Sequence, residues 1–507
     1  MLGAGLGWSA PAGADAGADG LPEAVDTILA DSRMEGGTAG VVIAEAAGGE
    51  VLYQRAPTSR LMPASTTKLT TSAAATEILG PDHTFTTDVL TAGRRNGSVL
   101  SGDLYLRGTG DPTALAEDYD ALAARVAESG IRRVEGRLHA DDTWFDSHRL
   151  GRSWAADDES AYYSAQISAL SVAPDTDYDT GSVIVRVVPG PAAGAEPTVT
   201  VTPATGYVDV DVRATTVAEG GANDLTVERE HGGNTIVVSG TTPAGGSGIR
   251  EWVSVWEPTG YAAAVFRAAL TAHGVKVTGT TRLGSTTPAA ARRLASHASM
   301  PLKDLLIPFM KLSNNMHAEV LVKAMGREVS GEGSWSAGLA AVNGYLKGIG
   351  VDTDKLRQVD GSGLSRMNNL TAGQFAELLL AVRAEPWYAD WYRALPVACD
   401  TDRFVGGTLR TRMCGTPAAR NAVGKTGSLT GASALSGYVK DADGRELVYS
   451  IVLNNYLAAS VKPLEDAIVV TLAGSTADGT VAAKAPGTRA ADRSGDLECS
   501  WRKPGAC

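Results

Sequence analysis

Three short polar signatures occur in one order along the chain and constrain its fold more than any other feature. They are Ser65-Thr-Thr-Lys68, then Ser313-Asn-Asn315, then Lys425-Thr-Gly427. Each pattern alone should arise by chance about once or less in a chain of this length. Their context argues against chance: the first opens an Ala/Thr-rich helical stretch, the second lies between two apolar helical stretches, and the third precedes an apolar strand candidate. The fold is therefore expected to bring three distant segments together.

The spacing of the first signature places a hydroxyl and an amine on one helical face. Side chains at positions i and i+3 are neighbours on a helix, so the Lys68 amine can reach the Ser65 hydroxyl. Amide dipoles at a helix start favour negative charge developing on the serine oxygen. A lysine acts as a base only when neutral, so its pKa must fall from about 10.4 through burial or a nearby cation, for which Lys425 is the candidate. We predict Ser65 as a nucleophile and Lys68 as a base.

The second signature supplies a hydroxyl relay and an amide. The Ser313 hydroxyl, expected between Lys68 and Lys425, can return a proton to a leaving amine. The Asn315 carboxamide can both donate to and accept from a substrate peptide bond. A loop cap is its structural alternative. The residues leave open whether Lys68 or the Ser313/Lys425 pair takes the first proton.

The third signature suits a substrate that ends in a free carboxylate. Lys425 offers a positive charge and Thr426 a hydroxyl donor, which together match such a group. Gly427 has no side chain and is expected to let the substrate approach the strand closely. The three signatures together indicate acyl transfer to a serine.

Further segments accompany the signatures. Met-His-Ala-Glu319 follows the second, Asp360-Gly-Ser-Gly-Leu-Ser-Arg366 separates the second from the third, and Gly108-Thr-Gly-Asp-Pro112 lies upstream. The set resembles the class C low-molecular-mass penicillin-binding proteins, the D-alanyl-D-alanine carboxypeptidase/endopeptidase family, and is most similar to their secreted actinomycete members. The long gap between the first two signatures strengthens this likeness, because that family carries inserted domains there. The likeness extends from residue 22 to about 475.

The resemblance implies a mixed α/β (α+β) architecture. A penicillin-binding, transpeptidase-like catalytic domain with an antiparallel sheet and a helical subdomain would carry two nested inserted domains, one mainly β. A chain of 507 residues is too long for one core, and alternating β-branched residues fill much of the segment 181–250. The expected boundaries are 1–21 for a signal remnant or linker, 22–83 and 295–474 for the catalytic domain, 84–180 and 251–294 for the first inserted domain, 181–250 for the all-β second one, and 475–507 for a C-terminal tail.

Local patterns also predict individual elements. A turn at Gly48-Gly49 joins two apolar runs into a hairpin. Periodicity distinguishes the helices from the strands elsewhere. In chain order the patterns predict strands at 41–44 and 51–53, helices at 66–79, 261–273 and 300–311, and strands at 435–439 and 447–453.

The resemblance further implies roles for two backbone N–H groups and for three residues outside the signatures. The oxyanion hole would consist of the backbone N–H groups of Ser65 and Ser428. Trp154, Asp157 and Tyr163 fall where relatives from organisms with diaminopimelate-type walls shape a pocket for the stem-peptide side chain. Aromatic residues more often belong to a core, which is the structural alternative for this group.

The activity implied is that of a serine D,D-carboxypeptidase. It would cleave the terminal D-Ala-D-Ala bond of peptidoglycan stem peptides, with endopeptidase action on D-Ala-diaminopimelate cross-links as an additional expectation. β-Lactams are expected to inhibit it by acylating Ser65, and the mechanism requires no cofactor and no metal. A β-lactamase or D-amino-ester hydrolase is one alternative, although the glutamate that class A β-lactamases use cannot be placed in this chain. A catalytically inactive peptidoglycan-binding scaffold is another, which the intact signatures argue against.

Composition restricts the partners and the location. The net charge of −12 leaves no basic stripe to neutralise phosphates, so no nucleic acid partner is expected. The sequence contains no run of eighteen or more apolar residues, so no transmembrane segment is expected. The first twenty residues are rich in Gly and Ala without a positive leader, which fits either a truncated signal peptide or a linker. We expect a secreted or extracytoplasmic protein associated with the cell wall.

Four cysteines occur late in the chain. Their even number and proximity in sequence suggest the disulfides Cys399–Cys414 and Cys499–Cys507, which form in an oxidising compartment. A zinc site is the alternative, but the seven histidines form no ligand spacing with the cysteines.

Overall fold

The computed structural model describes residues 20–481, which form helices and sheets in a mixed α/β arrangement. This content confirms the predicted fold class. Within that range the helices are α1 Leu21–Leu29, α2 Lys68–Leu79, α3 Ala116–Glu128, α4 Pro258–Ala272, α5 Leu302–Lys311, α6 Asn315–Ser330, α7 Trp335–Gly348, α8 Ala372–Ala381, α9 Tyr388–Arg393 and α10 Lys462–Ala473. No helix in residues 20–481 is both long enough and apolar enough to cross a bilayer.

The strands are numbered β1 to β22 in chain order, and short 3-10 helices lie between some of them. The strands are Thr38–Glu45, Val51–Arg55, Thr86–Thr91, Arg94–Asn96, Val99–Ser101, Leu104–Gly108, Arg133–Val134, Leu138–Asp141, Ser182–Val188, Thr198–Thr202, Asp209–Val212, Thr215–Val217, Thr226–Arg229, Thr235–Ser239, Thr241–Pro243, Ile249–Ser254, Lys276–Val277, Thr281–Leu283, Arg292–Ala298, Val423–Leu429, Ala432–Lys440 and Glu446–Asn454. The 3-10 helices are Ser32–Met34, Ala64–Thr67, Ala156–Asp158, Tyr162–Ser164, Val382–Ala384 and Gly407–Leu409.

The described chain divides into two compact units. The first comprises residues 20–81, 303–325 and 335–481, and it contains all three signatures. The second comprises residues 82–302 and 326–334. The finer division of the second unit into two nested domains stays a prediction.

One antiparallel five-stranded sheet organises the first unit, in the order β2-β1-β22-β21-β20. The predicted hairpin is present as β1 and β2, and Gly49 takes a φ of +71° in its turn. The last three strands are buried along almost their whole length, so elements cover both faces. Apolar residues of α1 and α10 share a core with the sheet, and α8 packs on β1 and β22. This order leaves β20, which carries the third signature, at the sheet's edge.

The second unit is built on several smaller sheets. Two of them have the orders β18-β8-β6-β3-β19 and β17-β7-β5-β4, and α3 and α4 pack together in the unit's core. The segment 182–254 contributes β9 to β16 and no α-helix. The alternation of β-branched residues there matches this strand content.

All three predicted helices begin at different residues from those expected, and the one expected over 300–311 begins at Leu302. The helix expected over 66–79 starts as the 3-10 helix Ala64–Thr67 and becomes α2 only at Lys68. The helix expected over 261–273 begins earlier, at Pro258, because proline is favoured in the first turn, where its missing N–H has no helical partner. Apolar periodicity does not report these terminal turns.

Candidate active site

Ser65 lies in the 3-10 helix that leads directly into α2, and its side chain is buried. The preceding Ala64 takes a φ of +48°, a left-handed conformation that costs free energy for a residue with a Cβ. Lys68 is the first residue of α2, and its Nζ donates to the Ser65 Oγ at 2.9 Å. The predicted i to i+3 pair is therefore in hydrogen-bond contact.

Lys68 is fully buried and donates to two further acceptors. These are the Asn315 Oδ1 at 2.7 Å and the backbone carbonyl of Ser362 at 2.8 Å. Burial lowers the pKa of Lys68 to about 7, against the opposing effect of the Glu319 and Asp360 charges. Near neutral pH a large fraction of this amine is thus unprotonated and able to accept the serine proton.

The second signature lies at the junction of α5 and α6. Ser313 takes a φ of +59° in the short connection, which turns the chain between the two helices. The side chain of Asn314 accepts from the backbone N–H of His317 at 3.2 Å, which caps the start of α6. Asn315 opens that helix and directs its carboxamide oxygen to Lys68. The loop-cap role suggested as an alternative for Asn315 belongs to its neighbour.

Lys425 joins the second signature to the third. Its Nζ donates to the Ser313 Oγ at 2.8 Å and to the Thr426 carbonyl at 2.9 Å. The side chain is fully buried, and burial followed by the charge of Lys68 holds the pKa of Lys425 well below its usual value. Two buried ammonium groups repel each other, so protonation of one lysine disfavours that of the other.

Gly427 permits a close approach, but the partner is the protein itself. A Cβ at this position would lie 2.5 Å from the Pro63 carbonyl oxygen and 3.0 Å from the Ser65 nitrogen. Strand β20 and the 3-10 helix of the nucleophile therefore pack backbone against backbone. The expected approach of a substrate to Gly427 is not tested by this contact.

The two other residues of the third signature's strand have distinct environments. The Thr426 Oγ1 donates to the Thr408 Oγ1 at 2.8 Å. The Ser428 Oγ is buried and has no hydrogen-bond partner within the described part of the chain. Sequence reasoning did not identify Thr408, because no local pattern marks a residue that reaches the site through tertiary packing.

A buried acidic residue holds the turn behind Lys68. Both Glu319 carboxylate oxygens accept backbone N–H groups, one from Gly361 and one from Ser362, each at 2.8 Å. Burial, followed by the charge of Asp360, raises the pKa of Glu319. These two hydrogen bonds orient the turn so that the Ser362 carbonyl accepts from Lys68. Glu319 is four residues from Asn315 on α6, and that same-face spacing was the available signal for its role.

Asp360 organises the same turn from within. Its carboxylate accepts from the N–H groups of Gly363 and Ser365 and from the Asn368 amide at 2.6–2.9 Å. Gly363 takes a φ of +86°, and a Cβ there would collide with the Ala64 carbonyl. These contacts form a structured turn that packs against the nucleophile's 3-10 helix.

The proposed side-chain pocket residues lie in the second unit. Asp157 belongs to the 3-10 helix Ala156–Asp158, and the Tyr163 hydroxyl donates to Asp158 at 2.8 Å. The Trp154 ring lies against Gly151, where a Cβ would clash with it. The structure does not bring these three residues together with the signature residues inside one unit, and their role stays a prediction.

One predicted disulfide is present. Cys399 and Cys414 are bonded, with 4.9 Å between their Cα atoms. The predicted pair Cys499–Cys507 lies outside the described residues.

One acidic cluster among the described residues has the geometry of a cation site. Carboxylate oxygens of Asp175, Asp177 and Asp179 lie within 4.8 Å of one another. Arg250 contacts Asp175 at 3.3 Å and supplies positive charge there. The cluster is in the second unit, whereas serine acyl transfer at Ser65 uses the hydroxyl and amine groups described above.

The signature geometry is that of a serine acyl transferase, and comparison with known proteins identifies which kind. A sequence model of the D-Ala-D-Ala carboxypeptidase 3 (S13) family matches residues 21–475. The chain belongs to this family. It is a serine-type, penicillin-binding D-Ala-D-Ala carboxypeptidase.

Individual S13 relatives support the assignment. A D-alanyl-D-alanine carboxypeptidase of Actinomadura sp. (strain R39) is 48% identical over 491 residues, which cover 95% of this chain and 89% of the relative. The D-alanyl-D-alanine carboxypeptidase DacB of Haemophilus influenzae is 26% identical over 438 residues, covering 84% and 88%. The crystal structure of penicillin binding protein 4 (dacB) from Haemophilus influenzae superposes with a TM-score of 0.75 at 25% identity, covering 86% of this chain and 94% of that one.

Proposed function

We propose that this S13 carboxypeptidase releases the terminal D-alanine of peptidoglycan stem peptides through an acyl-enzyme on Ser65. The observation that carries the assignment is the 2.9 Å contact between the Ser65 hydroxyl and the buried amine of Lys68. A nucleophile and a base within 2.6–3.2 Å are the minimum that proton abstraction needs.

Acylation begins when the Ser65 Oγ attacks the carbonyl carbon of the penultimate D-alanine and its proton moves to Lys68. The oxyanion of the tetrahedral intermediate would lie between the backbone N–H groups of Ser65 and Ser428, where fixed donors stabilise developing charge. The close packing of Gly427 on the nucleophile's backbone supports this arrangement, because it fixes the distance between the 3-10 helix and β20, which carry the two donors.

Collapse of the intermediate breaks the peptide bond, and the departing D-alanine needs a proton on its nitrogen. The Ser313 hydroxyl is the proposed donor, and Lys425 at 2.8 Å replaces the proton that Ser313 gives up. The alternative first step, in which the Ser313/Lys425 pair accepts the serine proton, uses the same contact between Lys425 and Ser313. Water then attacks the ester carbonyl and gives up a proton that restores Lys425. The bond between the Ser65 Oγ and the acyl carbon breaks, and Lys68 returns to Ser65 the proton that it took.

Recognition of the substrate's free carboxylate is proposed for Thr426 and Lys425. The pKa of Lys425 lies well below its usual value in the unliganded site. An arriving carboxylate favours the ammonium form and raises that pKa. Binding of the terminal carboxylate therefore supplies the relay with a proton at the moment the leaving amine needs one.

β-Lactams are proposed as inhibitors. Peptidoglycan is the proposed substrate, which implies that the protein acts at the cell wall. A penicillin offers a strained amide carbonyl beside a carboxylate, which are the two groups that the site is proposed to engage. The disulfide Cys399–Cys414 supports an oxidising, extracytoplasmic location. Endopeptidase action on D-Ala-diaminopimelate cross-links is a further activity of the same acyl-enzyme, with Trp154, Asp157 and Tyr163 proposed to accept the stem-peptide side chain.

Mass spectrometry of the intact protein with benzylpenicillin tests the assignment. We expect a persistent adduct of one drug molecule on the wild type and on Ser450→Ala, a matched control that removes a buried serine hydroxyl of β22. Ser65→Ala should carry none. An adduct that persists on Ser65→Ala would contradict the nucleophile, and rapid consumption of the drug without an adduct would indicate a β-lactamase. D-Alanine release from a stem pentapeptide by the same variants tests the peptidase step.

A further inference from the structure

The loop that the Cys399–Cys414 disulfide closes reaches the third signature. It contains the 3-10 helix Gly407–Leu409, which packs on β20. At that contact the Thr408 and Thr426 hydroxyl oxygens are 2.8 Å apart. Within the described residues, Thr408 is the one side chain that forms a hydrogen bond with the Thr426 hydroxyl.

The position of Thr408 is fixed by several independent contacts. Gly407 takes a φ of +52°, and a Cβ there would collide with the Lys311 backbone. The Cys399 N–H donates to the Leu409 carbonyl at 3.0 Å, which crosses the loop next to the disulfide. The buried Lys311 amine also donates to the Leu395 carbonyl before the loop begins. Hydrogen bonds and close packing of the loop therefore hold Thr408 against β20.

In a hydrogen-bonded pair of hydroxyls, either hydroxyl can be the donor. A threonine hydroxyl has one proton and two acceptor positions. When Thr408 donates to Thr426, the Thr426 proton is free to point at an anion. When Thr426 donates to Thr408, its own proton is occupied. An arriving carboxylate would favour the first arrangement, because hydrogen bonds to a charged acceptor are the stronger ones.

We propose that Thr408 is a positioning residue for recognition of the substrate's terminal carboxylate. It holds the Thr426 side chain in one rotamer and accepts or donates the hydroxyl proton as the site empties or fills. The inference rests on the proposed function, in which Thr426 binds that carboxylate. It adds a specificity role for the disulfide loop, which no signature contains.

The test compares two substrates that differ only at their end, an N-acyl-D-Ala-D-Ala dipeptide with a free carboxylate and its terminal amide. The measured quantity is the ratio of kcat/KM for the acid to kcat/KM for the amide. For Thr408→Val we expect this ratio to fall about tenfold, mainly through KM of the acid, as for loss of one hydrogen bond at a charged group. Thr408→Ser, which keeps the hydroxyl, should restore the ratio to within about twofold of wild type.

Three further variants make the outcome decisive. Thr426→Val should lower the same ratio, and the double variant Thr408→Val/Thr426→Val should fall no further than Thr426→Val alone, because both act through one hydroxyl. Cys399→Ser/Cys414→Ser should lower the ratio in the direction of Thr408→Val. If melting temperatures show that the Thr408→Val variant does not fold, Thr408→Ala takes its place.

The failures of the two proposals are distinguishable. A wild-type ratio in the folded Thr408 variants, with a lowered ratio in Thr426→Val, would overturn the role of Thr408 and leave the carboxylate site standing. A wild-type ratio in Thr426→Val would overturn the carboxylate site and with it the role of Thr408. Equal losses on acid and amide in Thr408→Val and Thr408→Ser would show a purely structural loop.

Discussion

Lys68 is the residue whose protonation state decides whether acylation can begin. At a pKa of about 10.4 roughly one lysine in 2,500 would be neutral at pH 7. Burial lowers the pKa of Lys68 to about 7, so the neutral form is common at the same pH. The free energy that burial of an amine costs thus produces a base at Ser65.

The rate of acylation by benzylpenicillin should therefore rise with pH through about 7 and level off above it, because the neutral amine is the reactive form. Lys68→Arg keeps a positive charge and cannot act as a base, so its acylation rate should fall about 10²–10⁴-fold. The rise of the rate with pH, the rising limb, should also disappear in this variant. Lys347→Arg, at an exposed helical position, is the control. Stopped-flow acylation at a series of pH values makes the measurement, and a wild-type rate in Lys68→Arg would reject Lys68 as the base.

Gly427 offers a second prediction at this scale. In Gly427→Ala the new methyl group meets the Pro63 carbonyl at 2.5 Å, and backbone atoms on both sides must move. We expect a loss of about 1–3 kcal/mol in the free energy of unfolding and a fall of about 10²-fold in acylation rate from the shifted nucleophile. Gly344→Ala in α7, where a Cβ meets nothing within 4 Å, should leave acylation unchanged and the protein no less stable. Denaturant titration and penicillin acylation measure the two effects, and equal behaviour of both variants would contradict the packing role.

At the scale of elements, α6 connects the second signature to the turn behind Lys68. It carries Asn315 at its start and Glu319 one turn later, and both reach the environment of Lys68. One helix therefore sets the orientation of the lysine's amide partner and of its carbonyl partner. The second signature marked Asn315 as a site residue, but for contact with the substrate and not with Lys68. No signature contains Glu319, and its same-face spacing from Asn315 was the available signal for its role.

Glu319→Gln tests this element. Replacement leaves one of the N–H donors of Gly361, Ser362 or Trp335 facing an amide NH2, which should cost about 1–3 kcal/mol of unfolding free energy. The Glu319 charge opposes the lowering of the Lys68 pKa, so its removal should shift the rising limb of acylation to lower pH. Glu328→Gln, exposed near the end of the same helix, is the matched control. A limb that stays in place or moves to higher pH would show that the Glu319 charge does not act on Lys68.

The elements also show how far sequence reasoning reaches. Apolar runs predicted β21 and β22, which the structure extends by one to three residues at their ends. The three signatures predicted a cluster that the structure forms through Lys68 and Lys425. The packing of Gly427 on Pro63 joins segments hundreds of residues apart, and Thr408 and Thr426 are 18 residues apart. Neither contact produces a periodic pattern in the sequence. Such contacts depend on tertiary packing, which local patterns do not encode.

At the scale of the whole molecule, the two units have separate hydrophobic cores. One buried cluster unites α1, α10 and the five-stranded sheet, and the other unites α3, α4 and strands of the second unit. Chains with several cores commonly depart from two-state unfolding. All residues proposed to react with a β-lactam lie in the first unit.

Acylation should therefore stabilise the two units unequally. A group that binds only the folded first unit raises the free energy of unfolding of that unit. We expect calorimetry of the wild type to show two heat-absorption transitions, and benzylpenicillin to raise the midpoint of one by several degrees while moving the other by less than about one degree. Hydrogen exchange with mass spectrometry assigns the transitions, because exchange in peptides of β20 to β22 should slow on acylation and exchange in peptides of β9 to β16 should not. Ser65→Ala should show no shift with the drug, and a single transition that moves as a whole would show that the two cores unfold together.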